Sequence, residues 1–154
     1  MGDVFFYHLT RRPLETVLPE LLERSRGRGW AVLVRGADAA RVDWLDQRLW
    51  LGPEERFLAH GQAGGPHDAD QPVLLTTAAD NSNGAACLMA VDGAEVSADE
   101  VRAFDRTCIL FDGNDPAALD RARGQWKGLT EAGCAAQYWS EESGRWQMKA
   151  QKGG

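Results

Sequence analysis

Arg123, Trp126 and Lys127 are the side chains of this chain whose types and spacing best suit chemistry on a partner. Arg123 and Lys127 are four residues apart, and Trp126 is three from Arg123. On a helix that spacing makes one patch, an aromatic plane flanked by a guanidinium and an ammonium. A guanidinium holds a carboxylate through two parallel hydrogen bonds, and an indole offers apolar surface beside it. The patch therefore fits an apolar group that carries a carboxylate. The plainer account is a solvated basic edge whose stems cover apolar surface.

Other chemistry finds less support. Nucleotide binding of the Rossmann kind needs glycines between the first strand and its helix, so that backbone can approach a pyrophosphate. Here that turn reads His8-Leu9-Thr10-Arg11-Arg12-Pro13, without glycine. Gly27 and Gly29 precede a strand, which is the wrong context, and there is no P-loop. No G-x-S-x-G elbow is present, and no nucleophile–base pair follows from spacing. His60, His67, Asp68 and Asp70 lie near one glycine-rich loop and could ligate a metal. A usable metal site needs fixed ligands, and this loop reads as mobile, so solvated polar residues are expected there. His8 reads as a hydrogen-bonded residue at a strand end. Neither cofactor nor metal nor catalytic residue is expected. The alternative reading is a small α/β nucleotide-binding domain or enzyme of unknown substrate.

These residues must be positioned by a regular framework. Val4 to Leu9 reads as a first strand. Leu14, Val17, Leu18, Leu21 and Leu22 then mark one helix face, with Pro19 expected in the first, unbonded turn and Gly27 and Gly29 at the end. Trp30 to Val34 is a buried strand with Trp30 in the core. Asp38 caps a second helix striped by Ala39, Val42, Leu45 and Leu49, ending at Trp50 and stopped by Gly52-Pro53. Residues 61–71 read as a flexible loop. Val73–Thr77 and Ala86–Val91 are further strands, separated by a turn at Asn81–Gly84. Val101 and Phe104 lie on a short helix before the strand Thr107–Phe111. Asn114 or Asp115 caps the late helix, Pro116 sits just inside it, and Gly133 closes it. Leu119, Ala122, Trp126 and Leu129 make its core face. Cys134–Trp139 and Arg145–Lys149 form a terminal hairpin. Strands alternating with helices imply a three-layer α/β/α sandwich with a mostly parallel central sheet of about five strands plus C-terminal strands. Residues 1–150 read as a single domain and 151–154 as a disordered tail.

Composition bounds the partners. The chain has 154 residues, 44% apolar and 26% charged, enough for one domain with a real core. Its net charge of −6 argues against strong direct DNA binding, which needs a basic stripe, but leaves room for a local basic pocket that takes an acidic peptide. Cys87, Cys108 and Cys134 are widely spaced and read as buried thiols rather than a disulfide framework. No apolar run approaches the roughly 20 residues that cross a bilayer, and no secretory signal is apparent, so the cytoplasm is expected. The chain has six tryptophans, and tryptophan is enriched where apolar surface meets a partner, although partial burial accounts for any single one.

Taken in order, several segments resemble one family. They are Phe5-Phe6-Tyr7-His8-Leu9, Trp30–Val34, the helix Ala39–Trp50 ending in Leu-Trp, the Phe57-x-x-His60 segment, and Ala122-Arg123-Gly-Gln-Trp126-Lys127. Together they resemble the chi subunit of bacterial DNA polymerase III over nearly the whole chain. The resemblance implies an α/β/α fold without a catalytic site. It implies a place in the clamp-loader part of the replicase, beside a small psi subunit. It also implies binding to the acidic C-terminal tail of single-stranded DNA-binding protein, which ends in an apolar residue with a free carboxylate. By position the tail site falls on Trp50, Phe57, Arg123, Trp126 and Lys127. Arg123 would take the terminal carboxylate. Trp50, Phe57 and Trp126 would wall the apolar pocket, and Lys127 with Arg56 would attract the upstream acids. Trp126 stands where family members carry tyrosine.

Overall fold

The structure is a computed structural model that describes residues 2–50, 60–64, 68–78, 81–141 and 144–153, apart from the Trp50 side chain. Among these are eight strands and four helices: β1 (Asp3–Leu9), α1 (Leu14–Gly27), β2 (Val32–Arg35), α2 (Ala39–Trp50), β3 (Gly61–Gln62), β4 (Val73–Thr76), β5 (Cys87–Ala90), α3 (Ala98–Ala103), β6 (Arg106–Asp112), α4 (Pro116–Glu131), β7 (Ala135–Ser140) and β8 (Gln147–Lys152). The strands form one sheet in the order β3-β4-β2-β5-β6-β1-β7-β8. Every pairing is parallel except β7 with β8. This is the expected α/β/α sandwich with a mostly parallel sheet.

Alternation along β1 shows how the layers arise. Tyr7 and Leu9 point into the cluster that packs α1 and α2, through Val17, Leu18, Leu21, Leu22, Val42, Leu45 and Leu49. Val4 and Phe6 point the other way, toward α3 and α4, where Val101, Ala118, Ala122 and Leu129 are buried. A strand's two-residue period can serve both faces only when both are covered, which is why β2, β4 and β5 are buried at every position.

The caps are local. Asp115 accepts from the Ala117 amide, with Pro116 at the first helical position. Gly133, at φ +92°, provides the left-handed residue after α4. Ser97 and Glu100 form a capping box for α3. Gly113 donates from its amide to the Leu9 carbonyl, and a Cβ there would lie 1.8 Å from the His8 ring, so only glycine fits.

Several expectations change. Pro19 is the sixth residue of α1, past the first turn, so Glu15 lacks its helical donor. Trp30 precedes β2 and is half-buried at the rim of the core, since the buried pairing begins only at Val32. Part of the 61–71 loop is ordered. Gly61 and Gln62 pair with Leu74 and Leu75, and Asp68–Asp70 make a 3-10 turn. His60 is buried, with Nε2 donating to the Asp46 carbonyl at 3.1 Å. β8 runs through Lys152, past the expected end of the folded part, because it pairs with β7 up to Ala136 across one irregularity at Tyr138/Trp139. The stop at Gly52-Pro53 lies outside the described residues.

Candidate functional site

α4 brings Arg123, Trp126 and Lys127 together as helical spacing requires. Ala118, Ala122 and Leu129 face the sheet, and Leu119 and Trp126 are half-buried at the margin of that face. Arg123 and Lys127 are exposed beside Trp126. The indole is held by rings from two strands. Its centroid is 5.4 Å from that of Phe6 and 6.0 Å from that of Tyr138, both in edge-to-face arrangement. Phe6 in turn stacks on Tyr138 at 12°. The Tyr138 hydroxyl and His8 Nδ1 share a hydrogen bond of 2.7 Å, which fixes the tyrosine ring and satisfies the strand-end histidine.

Charge at this site is thin. Arg123 Nη1 lies 3.9 Å from Asp120 Oδ1, with side chains 70% and 81% exposed. A pair that long and that wet contributes little, so the guanidinium can turn toward a partner. Lys152 lies opposite Ala136 in the β7–β8 ladder, which sets it on the same side of the sheet as Trp126. Sequence reasoning did not join Tyr138 to this patch. It reaches the patch through strand register, and no local spacing carries that signal.

Trp50 and Phe57 are not brought to it by anything described. α2, which ends at Trp50, packs on the opposite face of the sheet, above β3 and β4 rather than β6 and β7. Phe57 and Arg56 lie outside the described residues, as does the Trp50 side chain. Among the described residues, the candidate site is the α4 group.

Two other concave regions test the alternative reading. A cavity of about 690 Å³ lies at the carboxyl ends of β1 and β6, beside the start of α4. Open α/β sheets take ligands at such places. Here, however, Arg12 is clamped by Glu20 at 2.7 Å and Glu141 at 2.9 Å, and Arg41 by Asp92 at 3.1 Å. Asp38, Asp112 and Asp115 add further negative charge. With Arg11 and Arg121 also in the lining, the two signs of charge are mixed there and no cation-only surface faces a phosphate. A second cleft, of about 500 Å³, lies between α1 and the β7–β8 hairpin. Among the described residues no group of three or more His, Cys, Asp or Glu could hold a metal. Cys87, Cys108 and Cys134 are buried free thiols, and hydrogen bonding to Cys87 together with burial pushes the Cys108 thiol up.

Comparison with known proteins follows the same geometry. The family model described as DNA polymerase III chi subunit, HolC, matches residues 1–137, which include the whole of α4 and its Arg-x-x-Trp-Lys patch. The chain belongs to the DNA polymerase III chi subunit family. A "Probable DNA polymerase III subunit chi" from Rickettsia prowazekii (strain Madrid E) is 22% identical over 117 residues, covering 73% of this chain and 71% of that protein. Chi is an accessory subunit of the polymerase, which agrees with a site made of recognition groups. No described helix of this chi-family chain is long and apolar enough to cross a membrane.

Proposed function

We propose that this chi-family chain is a non-catalytic adaptor of the clamp-loader complex that binds the acidic C-terminal tail of single-stranded DNA-binding protein. The observation that carries the reading is the α4 patch: an indole fixed by Phe6 and Tyr138, with Arg123 and Lys127 exposed at its edge. The terminal apolar residue lies against Trp126 and its carboxylate pairs with Arg123. Lys127, assisted by Lys152, attracts the acids upstream. With a net charge of −6, the chain offers the tail little long-range attraction, so the contact is short-ranged and salt-sensitive. Trp50 and Phe57 belong to the proposal as further walls of the apolar pocket. A psi partner would complete the assembly.

The test is a titration with an acidic peptide ending in Asp-Phe, and with the same peptide lacking the last residue. The full peptide binds more tightly, and equal affinities sink the reading. Arg123→Ala weakens binding by about 1.5 kcal/mol, the low end for a charge-assisted contact because the guanidinium is exposed. Parallel titrations of Trp50→Ala and Phe57→Ala decide whether the tail also reaches the α2 side.

A further inference from the structure

The cleft between α1 and the β7–β8 hairpin gathers cations without carboxylates. Its charged lining consists of Arg24 from α1, Arg28 at the C-cap of that helix and Arg106 from β6, with no carboxylate. None of the three makes an ion pair with a described residue. The walls are aromatic: Phe5, Tyr7, Trp139 and Trp146. In a chain of net charge −6, unpaired cations gathered against rings call for an anionic ligand.

The cleft is also rich in donors. Arg106 stacks over Phe5 at 4.2 Å and over Trp30 at 5.3 Å, and Arg28 stacks over Trp30 at 5.1 Å. Ring faces hold these guanidiniums by their planes and leave N–H edges free. Trp146 Nε1 is buried with no hydrogen-bond partner. Tyr7 is only 9% exposed, packs edge-on to Trp146 at 5.1 Å, and makes no hydrogen bond with a described residue. Guanidinium and indole groups only donate, so the matching ligand brings acceptors and a flat apolar body.

A nucleotide has both features, and the spread of the cations favours a strand. Arg24 and Arg28 are one helical turn apart, and Arg106 comes from another element. A single carboxylate engages one guanidinium, whereas a phosphodiester chain repeats its charge and carries a planar base at each repeat. An acidic peptide repeats the charge without the ring. Duplex bases are stacked inside the helix, out of reach of half-buried tryptophans.

We propose that this cleft binds a short stretch of single-stranded nucleic acid, with phosphates on Arg24, Arg28 and Arg106 and a base against Trp139 and Trp146. The site lies on the opposite face of the sheet from α4 and does not depend on the tail reading. The overall negative charge restricts it to a small footprint, visible at low salt.

The experiment is fluorescence anisotropy of a labelled oligothymidylate of about eight nucleotides, a length within the range one such site covers. The expected result is saturable binding at low salt, with log affinity falling against log salt at a slope of about −2, for three phosphates on a single strand. Arg24→Ala combined with Arg28→Ala lowers affinity by about tenfold or more and flattens that slope. Both side chains are exposed, and an unchanged melting temperature shows that the variant is folded. Arg123→Ala leaves oligonucleotide binding unchanged, and the double variant leaves tail-peptide binding unchanged, so the two sites fail separately. Thymidine monophosphate and a duplex of equal length compete poorly. The proposal is overturned by absence of saturable binding, by full affinity in the double variant, or by equal binding of the free nucleotide or the duplex. Displacement of the oligonucleotide by the acidic peptide overturns it too, by making the cleft a peptide site.

Discussion

Two arginine-lined cavities sit at opposite ends of the same strands and are wired in opposite ways. At the carboxyl ends of β1 and β6, Arg12 and Arg41 are each held by carboxylates, and Glu141 is nearly fully buried beneath Arg12. In the α1 cleft, Arg24, Arg28 and Arg106 face rings and open space. The first arrangement uses charge to close the structure. The strong sites of Arg12 are filled by Nε and Nη2 on Glu141 and Nη1 on Glu20, and these contacts raise its pKa further. The second leaves charge unspent. Cavity size alone would rank the larger, paired region as the binding site. Counting carboxylates reverses that order: Glu15, Asp38, Asp92, Asp112 and Asp115 line the first cavity and none lines the second.

The sharpest way to break the comparison is to remove the clamp. Arg12→Ala leaves the Glu141 carboxylate buried without its cation, and stability falls by about 3 kcal/mol, read from urea unfolding. A loss under 0.5 kcal/mol would mean that this network is no more structural than the cleft. The next effect is in pH. Burial, aided by the neighbouring Cys108, pushes the Tyr7 hydroxyl up, against the pull of Arg106 and Arg24. The unfolded chain then loses this proton first. Tyr7 therefore contributes fully below its ordinary pKa of about 10, and its contribution declines by up to about 1.4 kcal/mol per pH unit above it. Unfolding curves between pH 8 and 11 show that decline, and Tyr7→Phe makes it shallower. The smallest effect belongs to the open cleft. Arg24→Ala with Arg28→Ala changes stability by no more than about 0.5 kcal/mol, since neither side chain is buried or ion-paired. A large destabilisation would show that those arginines brace the fold.

The α4 patch was legible because it is local. Arg123, Trp126 and Lys127 share one helix, and i, i+3, i+4 geometry needs no tertiary information. The same holds for Asp115-Pro116 at its start and Gly133 at its end. Tyr138 and Phe6 could not be placed around Trp126 from spacing. They meet it only through strand order and register, with β1 between β6 and β7. For the same reason, the expected pocket joining Trp50 and Phe57 to Arg123 could be read only from the family resemblance and not from spacing. Nothing local tells α2 and α4 which face of the sheet each will cover.

The sequence by itself determined the alternation of strands and helices, the helix caps, the aromatic–basic trio of α4 and membership of the chi family. Periodicity, capping and motif order are short-range properties written in neighbouring residues. The tertiary structure alone decided that Arg12 and Arg41 are neutralised while Arg24, Arg28 and Arg106 are not. Read along the chain, nothing distinguishes the arginines that meet a carboxylate from those that do not. Whether a guanidinium meets a carboxylate 129 residues away, as Arg12 meets Glu141, is fixed only when the sheet brings β1 beside β7.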